Sequence, residues 1–371
     1  MHNKSKSILY LMHVPWQWIK QRPHFLAEYL SADFSLTLRY KKPLNVKKQN
    51  LQNTVNTIGA KGFWQLPLER LPITRLCPKA FRWINRALAH CGIPSFKGYD
   101  YVWITSLYFY DIIRHRITAD TFLIWDAMDD EIEFSATKNS QKNLHRYLKA
   151  ERELLLRADI IFCTAEHLAK KIMSRSCFKR DIIIVNNAIE LPYCHNQLRE
   201  RYCQYKSSKN LFMYIGAVAE WFDFDTLINM LEQNPEVSAL IVGPHDGNVP
   251  VHSRIEYLGT VKRKDIFELM SYATVLMMPF KVTELIESVN PVKLYEYIYG
   301  DRIVVAPRYG ESEKFEDFIW LYSTPQEFSN FARGVVAGKI TKKKNTTQNH
   351  NFAEANQWST RYQIIRKELE P

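Results

Sequence analysis

Short apolar runs alternate with stretches of helical periodicity along this chain, and this alternation most narrowly limits the folds available to it. In the first half, the runs predicted as strands are 7–13, 36–40, 101–106, 121–127, 160–164 and 182–187. Strands that alternate with helices favour a mostly parallel, doubly wound sheet. We therefore predict an α/β fold, in which ligands bind outside the carboxyl ends of the strands.

The same alternation starts again after a polar, charged segment at 191–210, which we interpret as a linker. The second set of apolar runs lies at 211–217, 238–243, 255–259, 273–280, 302–307 and 319–323. A chain of 371 residues suits two domains of about 150–200 residues better than one. We predict an N-terminal domain at 1–195, a C-terminal domain at 208–345, and a final helix at 346–371 with Trp358 as its anchor.

The composition indicates an ordered globular protein with an anionic partner. Hydrophobic residues make up 46% and charged residues 24% of the chain, and the net charge is +11. This charge suits nucleic acid, acidic lipid or a phosphorylated ligand. The six cysteines form no C-x-x-C pair, as in a reducing compartment, and no apolar run reaches the roughly 18 residues that span a bilayer. We expect a cytoplasmic protein, peripheral at the inner face of the plasma membrane.

One stretch, 280–297, has the features of an anion site. It follows a predicted buried strand through a polar loop, and Pro291 is suited to begin a helix with Asn290 as its N-cap. A helix N-terminus placed after the carboxyl end of a strand attracts negative charge through its free N–H groups and its dipole.

Three side chains in this stretch extend the interpretation. Lys281 and Lys293 place two cations near the helix start, and Glu296 follows Lys293 by about one turn on the same helix face. A carboxylate can accept hydrogen bonds from two hydroxyl groups, so the combination suits the diphosphate and ribose of a nucleotide. The alternative is an ordinary capped helix with solvated lysines.

Polar residues also follow strands of the first half. The segment after the first strand carries His13, Arg22 and His24, which we predict to contact an acceptor or a phosphate. The alternative is a helix entry stabilised by aromatic packing.

The segment after the strand at 121–127 is rich in carboxylates, at Asp126, Asp129, Asp130 and Glu131. Such a cluster is costly unless it is solvated or paired with a base or a ligand. We predict that Asp129 or Asp130 is a general base for an acceptor hydroxyl. The alternative is a solvated acidic turn.

A predicted helix at 81–89 combines basic and apolar residues. The basic residues in and near it are Arg75, Lys79, Arg82 and Arg86, and the apolar ones are Phe81, Trp83, Ile84 and Leu88. This pattern is typical of an element that docks on an anionic membrane surface. The alternative is a helix that packs on its own domain with a solvated basic face.

Three segments resemble one family. The run 288–297, Ser-Val-Asn-Pro-Val-Lys-Leu-Tyr-Glu-Tyr, resembles the donor-binding motif of GT-B glycosyltransferases in the broad group of glycosyltransferase family 4. The run 18–27 resembles the N-terminal signature of polysaccharide glycosyltransferases similar to those of teichuronic acid synthesis. The run 214–223 resembles the start of their C-terminal domain.

The resemblance implies GT-B architecture, with two Rossmann-like domains facing a cleft and a C-terminal helix that crosses back to the N-terminal domain. It implies a glycosyltransferase that takes a UDP- or GDP-linked sugar and extends a glycan acceptor, expected to be lipid-linked, in capsule, O-antigen or other cell-surface polysaccharide synthesis. The donor lies mainly on the C-terminal domain and the acceptor on the N-terminal one. The donor-binding residues that it implies are Gly216, Val261, Lys281, Ser288, Val289, Asn290, Lys293 and Glu296.

No cofactor is expected beyond the nucleotide sugar, and no metal. Asp223-Phe-Asp225 has the spacing of a metal-binding Asp-x-Asp motif, but it lies at a predicted helix start, where capping is the interpretation we prefer.

The chain departs from the family pattern at two places. Many family 4 enzymes carry Arg and Lys after the first glycine of the C-terminal domain, and here Phe222 takes the expected Lys position. Of two glutamates expected eight positions apart, Glu296 matches the second, while the first would fall at Ser288. The sequence therefore leaves open whether the reaction retains or inverts configuration.

Two other functions fit parts of the pattern. A nucleotide-sugar epimerase of the same fold would need no second sugar. A nucleic-acid-binding protein would suit the positive charge, but the basic residues are scattered and no RRM, KH or helix-turn-helix signature occurs.

Overall fold

The computed structural model describes residues 6–42, 58–64, 78–192, 200–206, 208–245, 247 and 249–369. The chain divides into two compact units. Unit 1 comprises Met1–Asn186 and Tyr362–Pro371, and unit 2 comprises Asn187–Arg361.

Seven strands form the sheet in the described part of unit 1. They are β1 (Ser7–Met12), β2 (Ser35–Lys42), β3 (Lys61–Trp64), β4 (Tyr101–Ile104), β5 (Leu123–Ala127), β6 (Ile160–Cys163) and β7 (Ile183–Ile184). Their order is β3-β2-β1-β4-β5-β6-β7, and every pair is parallel. Chain order reverses between β1 and β4, so the carboxyl ends of these two strands form the topological switch point where ligands bind in such sheets.

Helices cover this sheet because each has one apolar face to bury. In Gln141–Arg157, for example, Ala150, Leu154 and Leu155 are buried while most other positions meet solvent. The other helices described in unit 1 are Arg22–Asp33, Pro78–Gly92, Leu107–Ile113, Ser135–Lys138 and Glu166–Ser176, with a 3-10 turn at Arg114–Arg116.

Six strands form the sheet in the described part of unit 2. They are β8 (Leu211–Ile215), β9 (Ser238–Val242), β10 (Ile255–Gly259), β11 (Val275–Met277), β12 (Ile303–Pro307) and β13 (Trp320–Tyr322). Their order is β10-β9-β8-β11-β12-β13, again all parallel. The switch point of this sheet lies between β8 and β11.

The helices of unit 2 surround a core built from every strand of this sheet. They are Phe224–Gln233, Ile266–Met270, Glu284–Glu287, Val292–Tyr299, Gly310–Glu313, Pro325–Val336 and Thr346–Ala355, with 3-10 turns at Glu200–Tyr205 and Arg263–Asp265. None of the helices in the described ranges combines the length and the apolar character needed to cross a bilayer.

The last helix, Trp358–Leu369, begins in unit 2 and ends in unit 1. Its end is held within unit 1, where the Tyr362 hydroxyl donates to Asp33 Oδ2 at 2.7 Å and Lys6 Nζ donates to the Leu369 carbonyl at 2.9 Å. The predicted return of the C-terminal helix to the first domain is confirmed.

The two doubly wound sheets predicted from the alternation of strands and helices are confirmed, but three details differ. Strand β3 was not predicted. The segment 346–371 is two helices, because the chain breaks its helical path at 356–357. Residues from Asn187 onward group with unit 2, where the Trp358 N–H donates to the Ile189 carbonyl at 3.2 Å.

Candidate active site

Three glycines lie at the carboxyl ends of β8, β9 and β10. The Gly216 N–H donates to the Val242 carbonyl, and the Gly243 N–H donates to the Gly259 carbonyl, each at 2.8 Å. A Cβ atom added to Gly243, whose φ is +143°, would lie 2.0 Å from the Gly216 carbonyl oxygen. Because that neighbour is backbone, only glycine fits there. The ends of β8 and β9 therefore pack closely against each other, backbone against backbone.

The Lys293 side chain occupies the space above Gly216. A Cβ atom on Gly216 would lie 2.1 Å from Lys293 Cε and 2.8 Å from Lys293 Nζ. The ammonium group is 5.7 Å from the ring centroid of Tyr214 and 5.8 Å from that of Phe280. Among the described residues no carboxylate lies within 4.0 Å of Nζ and none accepts a hydrogen bond from it. Burial lowers the pKa of Lys293, while Glu296 acts in the opposite direction. An uncompensated cation at the switch point is suited to bind an anion.

The loop before this helix differs from the prediction. The helix begins at Val292 with Pro291 at the N-cap, so the prediction of Asn290 as N-cap is wrong. Asn290 is 2% exposed, and its side chain is already engaged: Oδ1 accepts from the Asn187 N–H and Nδ2 donates to Glu311 Oε2, each at 2.9 Å. The Asn187 side-chain amide also donates to the Asn290 carbonyl at 2.8 Å. These contacts hold the loop in place, which argues against a direct donor contact by Asn290.

Glu296 lies one turn after Lys293 and pairs with a residue that sequence analysis missed. Arg263, in the 3-10 turn after β10, places Nη1 at 3.4 Å from Glu296 Oε1, and its Nε donates to Glu190 Oε2 at 3.1 Å. These three residues lie far apart along the chain, so only folding brings them together. The signal available in the sequence was the basic run 262–264, which begins three residues after the end of the predicted strand at 255–259.

The remaining predicted donor residues range from exposed to fully buried. Lys281 is exposed, with Nζ 3.9 Å from Asp225 Oδ2. Ser288 is fully buried, and its hydroxyl donates to the Glu284 carbonyl at 3.2 Å. Val261 and Val289 are partly buried against the core of unit 2.

Phe222 and Asp223, which lie at motif positions, both make contacts that stabilise the fold of unit 2. Phe222 is buried, with its ring centroid 5.0 Å from that of Tyr214, so an aromatic cluster replaces the cation of the family pattern. Asp223 caps the helix Phe224–Gln233 by accepting from the Thr226 N–H at 3.1 Å, as predicted. In the parts of the chain that the structure covers, no group of three or more His, Cys, Asp or Glu side chains could hold a metal ion.

His13 lies at the switch point of the unit 1 sheet, directly after β1. Its Nδ1 is 2.8 Å from Thr105 Oγ1, and the Thr105 hydroxyl is 3.1 Å from the Leu11 carbonyl, which can only accept. We assign the hydroxyl proton to Leu11, so Nδ1 carries the imidazole proton and Nε2 is an acceptor. Burial lowers the pKa of His13 to about 4, so the ring is neutral near pH 7. This geometry suits a hydrogen bond from an acceptor hydroxyl.

The two candidate bases after β5 differ in their surroundings. Asp130 is 1% exposed, and its Oδ2 is 2.9 Å from Arg175 Nη1 and 3.0 Å from Lys171 Nζ. Asp129 is exposed, and among the described residues no cation lies within 4.0 Å of its carboxylate. Desolvation by the surrounding protein raises the pKa of Asp129 to about 6, although Arg22 opposes the shift. Asp130 is committed to ion pairs, so Asp129 is the carboxylate that can accept a proton.

Arg22 and His24, predicted as acceptor contacts, are buried. Arg22 is 4% exposed, its Nη2 is 2.8 Å from Asp126 Oδ1, and its Nη1 donates to the Val185 carbonyl at 2.7 Å. His24 is 1% exposed, and its Nε2 lies 3.2 Å from the Pro15 carbonyl. Both side chains stabilise unit 1, which argues against the predicted acceptor role for either.

The predicted helix at 81–89 is present as part of Pro78–Gly92. Trp83 is 72% exposed and Arg86 is exposed, while Asn85 and Ala89 are buried. Arg75 and the side chains of Lys79, Phe81 and Arg82 lie outside the described residues.

Known proteins resemble this chain in sequence and in fold. No family model matches the chain. The teichuronic acid biosynthesis glycosyltransferase TuaH of Bacillus subtilis (strain 168) is 22% identical over 288 residues, which cover 74% of this chain and 70% of TuaH. The chain has the GT-B fold and is an enzyme of glycosyl transfer. The resemblance noted from the sequence is confirmed, although the family number is not decided.

Several solved structures share the fold of this chain over almost its whole length. Anabaena Alr3699/HepE in complex with UDP matches with a TM-score of 0.68 at 14% identity, covering 98% of this chain and 99% of that chain. Sucrose-phosphate synthase from Thermosynechococcus elongatus matches with the same score, identity and coverage. The similarity to TuaH, which is named as a glycosyltransferase, favours sugar transfer over the epimerase alternative.

Proposed function

We propose that this glycosyltransferase transfers a sugar from a UDP-linked donor to a glycan acceptor in the synthesis of a cell-surface polysaccharide. The observation that carries the proposal is the Lys293 ammonium above Gly216, which has no carboxylate partner in the described structure. UDP is the choice of nucleotide because HepE was solved with UDP and with UDP-glucose. The polysaccharide follows from TuaH, which is named for teichuronic acid biosynthesis.

In this proposal each side chain of the unit 2 site has one task. Lys293 and the N-terminal N–H groups of its helix bind the diphosphate, because a hydrogen bond to a charged group is stronger than a neutral one. Gly216, which has no side chain, leaves the space that the Lys293 side chain occupies above the strand end. Glu296 accepts hydrogen bonds from the ribose.

Asp129 supplies the base in unit 1. The acceptor oxygen forms a bond to the anomeric carbon of the donor sugar, the bond from that carbon to the diphosphate breaks, and UDP leaves. Asp129 takes the proton of the acceptor hydroxyl, for which a pKa of about 6 is well matched near neutral pH. His13 Nε2 orients the same hydroxyl.

A panel of nucleotides tests the donor. Thermal unfolding is measured with UDP, GDP, UDP-glucose and a mixed-sequence oligonucleotide, and UDP at 100 times its dissociation constant stabilises by roughly 2.7 kcal/mol. GDP at the same concentration is expected to stabilise less. Stabilisation by the oligonucleotide alone, with a steep salt dependence, would overturn the proposal in favour of a nucleic-acid-binding protein.

The proposal includes no metal, because Lys293 and the helix N-terminus carry the charge that a divalent cation would neutralise. Transfer activity is expected to be unchanged after EDTA treatment. A loss of activity that Mg²⁺ or Mn²⁺ restores would contradict this part of the proposal.

A lipid-linked acceptor would require the enzyme to work at the inner face of the plasma membrane. The exposed Trp83 and Arg86 on Pro78–Gly92, in a chain of net charge +11, support docking on an anionic surface. We expect sedimentation with anionic vesicles at low salt and none with neutral vesicles. Changing Arg75, Lys79, Arg82 and Arg86 to Gln is expected to release the protein and leave UDP binding intact. Equal binding to both vesicle types, or to neither, would contradict this surface.

A further inference from the structure

Arg263 has contacts that the proposed donor site does not yet explain. Its guanidinium group touches two carboxylates from different parts of unit 2, with Nε donating to Glu190 Oε2 at 3.1 Å and Nη1 lying 3.4 Å from Glu296 Oε1. The Arg263 side chain is 26% exposed and the Glu296 side chain is 14% exposed. The pair is therefore partly shielded from water, where an ion pair is stronger than on an open surface.

The planar shape of the guanidinium group determines how Arg263 holds Glu296. Its donors are fixed in one plane, so binding Glu190 through Nε restricts the rotation that the Nη1 atom could otherwise make. Arg263 therefore holds the Glu296 carboxylate by its Oε1 atom. The other carboxylate oxygen, Oε2, stays available to accept a hydrogen bond from a ligand hydroxyl.

Charge gives Arg263 a second effect. In the proposed donor complex the diphosphate lies beside Lys293, one turn before Glu296, and two anionic groups this close repel each other. The Arg263 guanidinium group, paired with Glu296, offsets that repulsion. Without Arg263, the Glu296 carboxylate would lose this partner and would be free to turn away from the ligand.

We propose that Arg263 is a positioning residue that holds Glu296 ready for the donor ribose, and that it thereby sets the preference for ribose over deoxyribose. This inference rests on the proposed function, since it assigns a specificity role within the UDP site. Arg263 acts through Glu296 and contacts no reacting atom.

Calorimetric titrations with UDP, 2′-deoxy-UDP, 3′-deoxy-UDP and inorganic pyrophosphate test the inference. A hydrogen bond to a charged group contributes about 1.5–3 kcal/mol, so the wild-type protein is expected to prefer UDP over its deoxy analogues by roughly 10- to 150-fold. Arg263→Gln is expected to reduce this preference to a few-fold while leaving pyrophosphate affinity within about threefold. Arg263→Lys restores the charge without the planar fork, and an intermediate preference is expected.

Lys264 offers a matched control. It neighbours Arg263, carries the same charge and is exposed. Lys264→Gln is expected to keep the wild-type preference for ribose, which separates positioning from a general loss of positive charge. Thermal unfolding of each variant without ligand shows whether it folds, and Arg263→Lys extends the test if Arg263→Gln is unstable.

Two results would overturn the inference and leave the proposed function intact. One is a wild-type preference for ribose that Arg263→Gln and Arg263→Lys both retain. The other is an equal loss of affinity for UDP and pyrophosphate, which would make Arg263 a diphosphate ligand. If the wild-type protein binds neither UDP nor pyrophosphate, the proposed function itself fails, and the role of Arg263 fails with it.

Discussion

The switch points of the two sheets have the same topology and opposite chemistry. In both, chain order reverses at a central pair of parallel strands, β1 and β4 in unit 1 and β8 and β11 in unit 2. In unit 2 the strand ends carry glycines and the Lys293 ammonium. In unit 1 His13 and Thr105 fill the strand ends, and the exposed Asp129 carboxylate follows β5. The topology of the sheet therefore sets where a ligand binds, and a few side chains set which charge that ligand must carry.

The same comparison explains why the buried charges of unit 1 are poor candidates for binding. Arg22 and Asp126 satisfy each other at 2.8 Å, and Asp130 is held by Lys171 and Arg175. A charge that is buried and paired cannot turn to a ligand without leaving its partner uncompensated. Lys293 in unit 2 and Asp129 in unit 1 lack an ion-pair partner among the described residues. Substitutions of these two residues therefore test the difference between the two units most directly.

The largest expected effect is that of Asp129→Asn on catalysis. Removing a general base costs typically about 10²- to 10⁴-fold in kcat, with little change in UDP affinity. Steady-state kinetics with saturating donor measure the loss. Asp130→Asn is the control: it is expected to lower the midpoint of thermal unfolding while the folded fraction keeps its kcat. Wild-type kcat in Asp129→Asn would show that another group is the base.

Arg22→Ala tests whether buried charge in unit 1 is structural. Leaving Asp126 buried and unpaired is expected to cost about 3–5 kcal/mol of unfolding free energy, measured by urea denaturation. Arg114→Ala, which removes a partly exposed ion pair with Glu153, is expected to cost at most about 1 kcal/mol. A stable Arg22→Ala variant with a raised KM for the acceptor would restore the acceptor role predicted from the sequence.

Lys293→Met tests the corresponding free charge of unit 2. It is expected to weaken UDP binding by about 1.5–3 kcal/mol, because it removes a charge-assisted contact to the diphosphate. Burial lowers the pKa of Lys293, so at neutral pH its charged form is less favourable in the folded protein than in the unfolded one. The same variant is therefore expected to unfold at a higher temperature than wild type without ligand. Unchanged UDP affinity would remove Lys293 from the donor site.

The pH dependence of kcat/KM tests whether Asp129, in unit 1, is the general base. Desolvation raises the pKa of Asp129 to about 6, with the nearby carboxylates Asp130 and Asp126 adding to the shift and Arg22 opposing it. A base must be unprotonated, so activity is expected to be full above this pKa and to fall by about tenfold per pH unit well below it. A profile that stays flat down to pH 5 would contradict Asp129 as the base.

The smallest effect is expected for Lys281→Ala. Its Nζ is exposed and 3.9 Å from Asp225, so water and this carboxylate already screen its charge. We expect UDP affinity to fall by less than about 1 kcal/mol in calorimetric titration. A loss as large as that of Lys293→Met would show that Lys281 turns toward the diphosphate when UDP binds.

The two doubly wound sheets can be predicted from the amino-acid sequence alone. Apolar runs of strand length, separated by helical stretches, leave few other ways to bury a core, so the predicted strands match observed ones within a few residues. β3 escaped prediction because Lys61–Trp64 is short and only Phe63 in it is buried. The sequence also identified Lys293 and Glu296, because a local motif places them one helical turn apart.

Which predicted site residues lack an ion-pair partner among the described residues depends on the fold, not on the local sequence. Asp129 and Asp130 are adjacent in the sequence, yet Arg175 and Lys171 pair with Asp130 from a helix that begins at Glu166. Burial and ion pairing depend on residues far away along the chain, which no local pattern encodes. The same reason hid Arg263, whose proposed role rests on its contacts with Glu190 and Glu296.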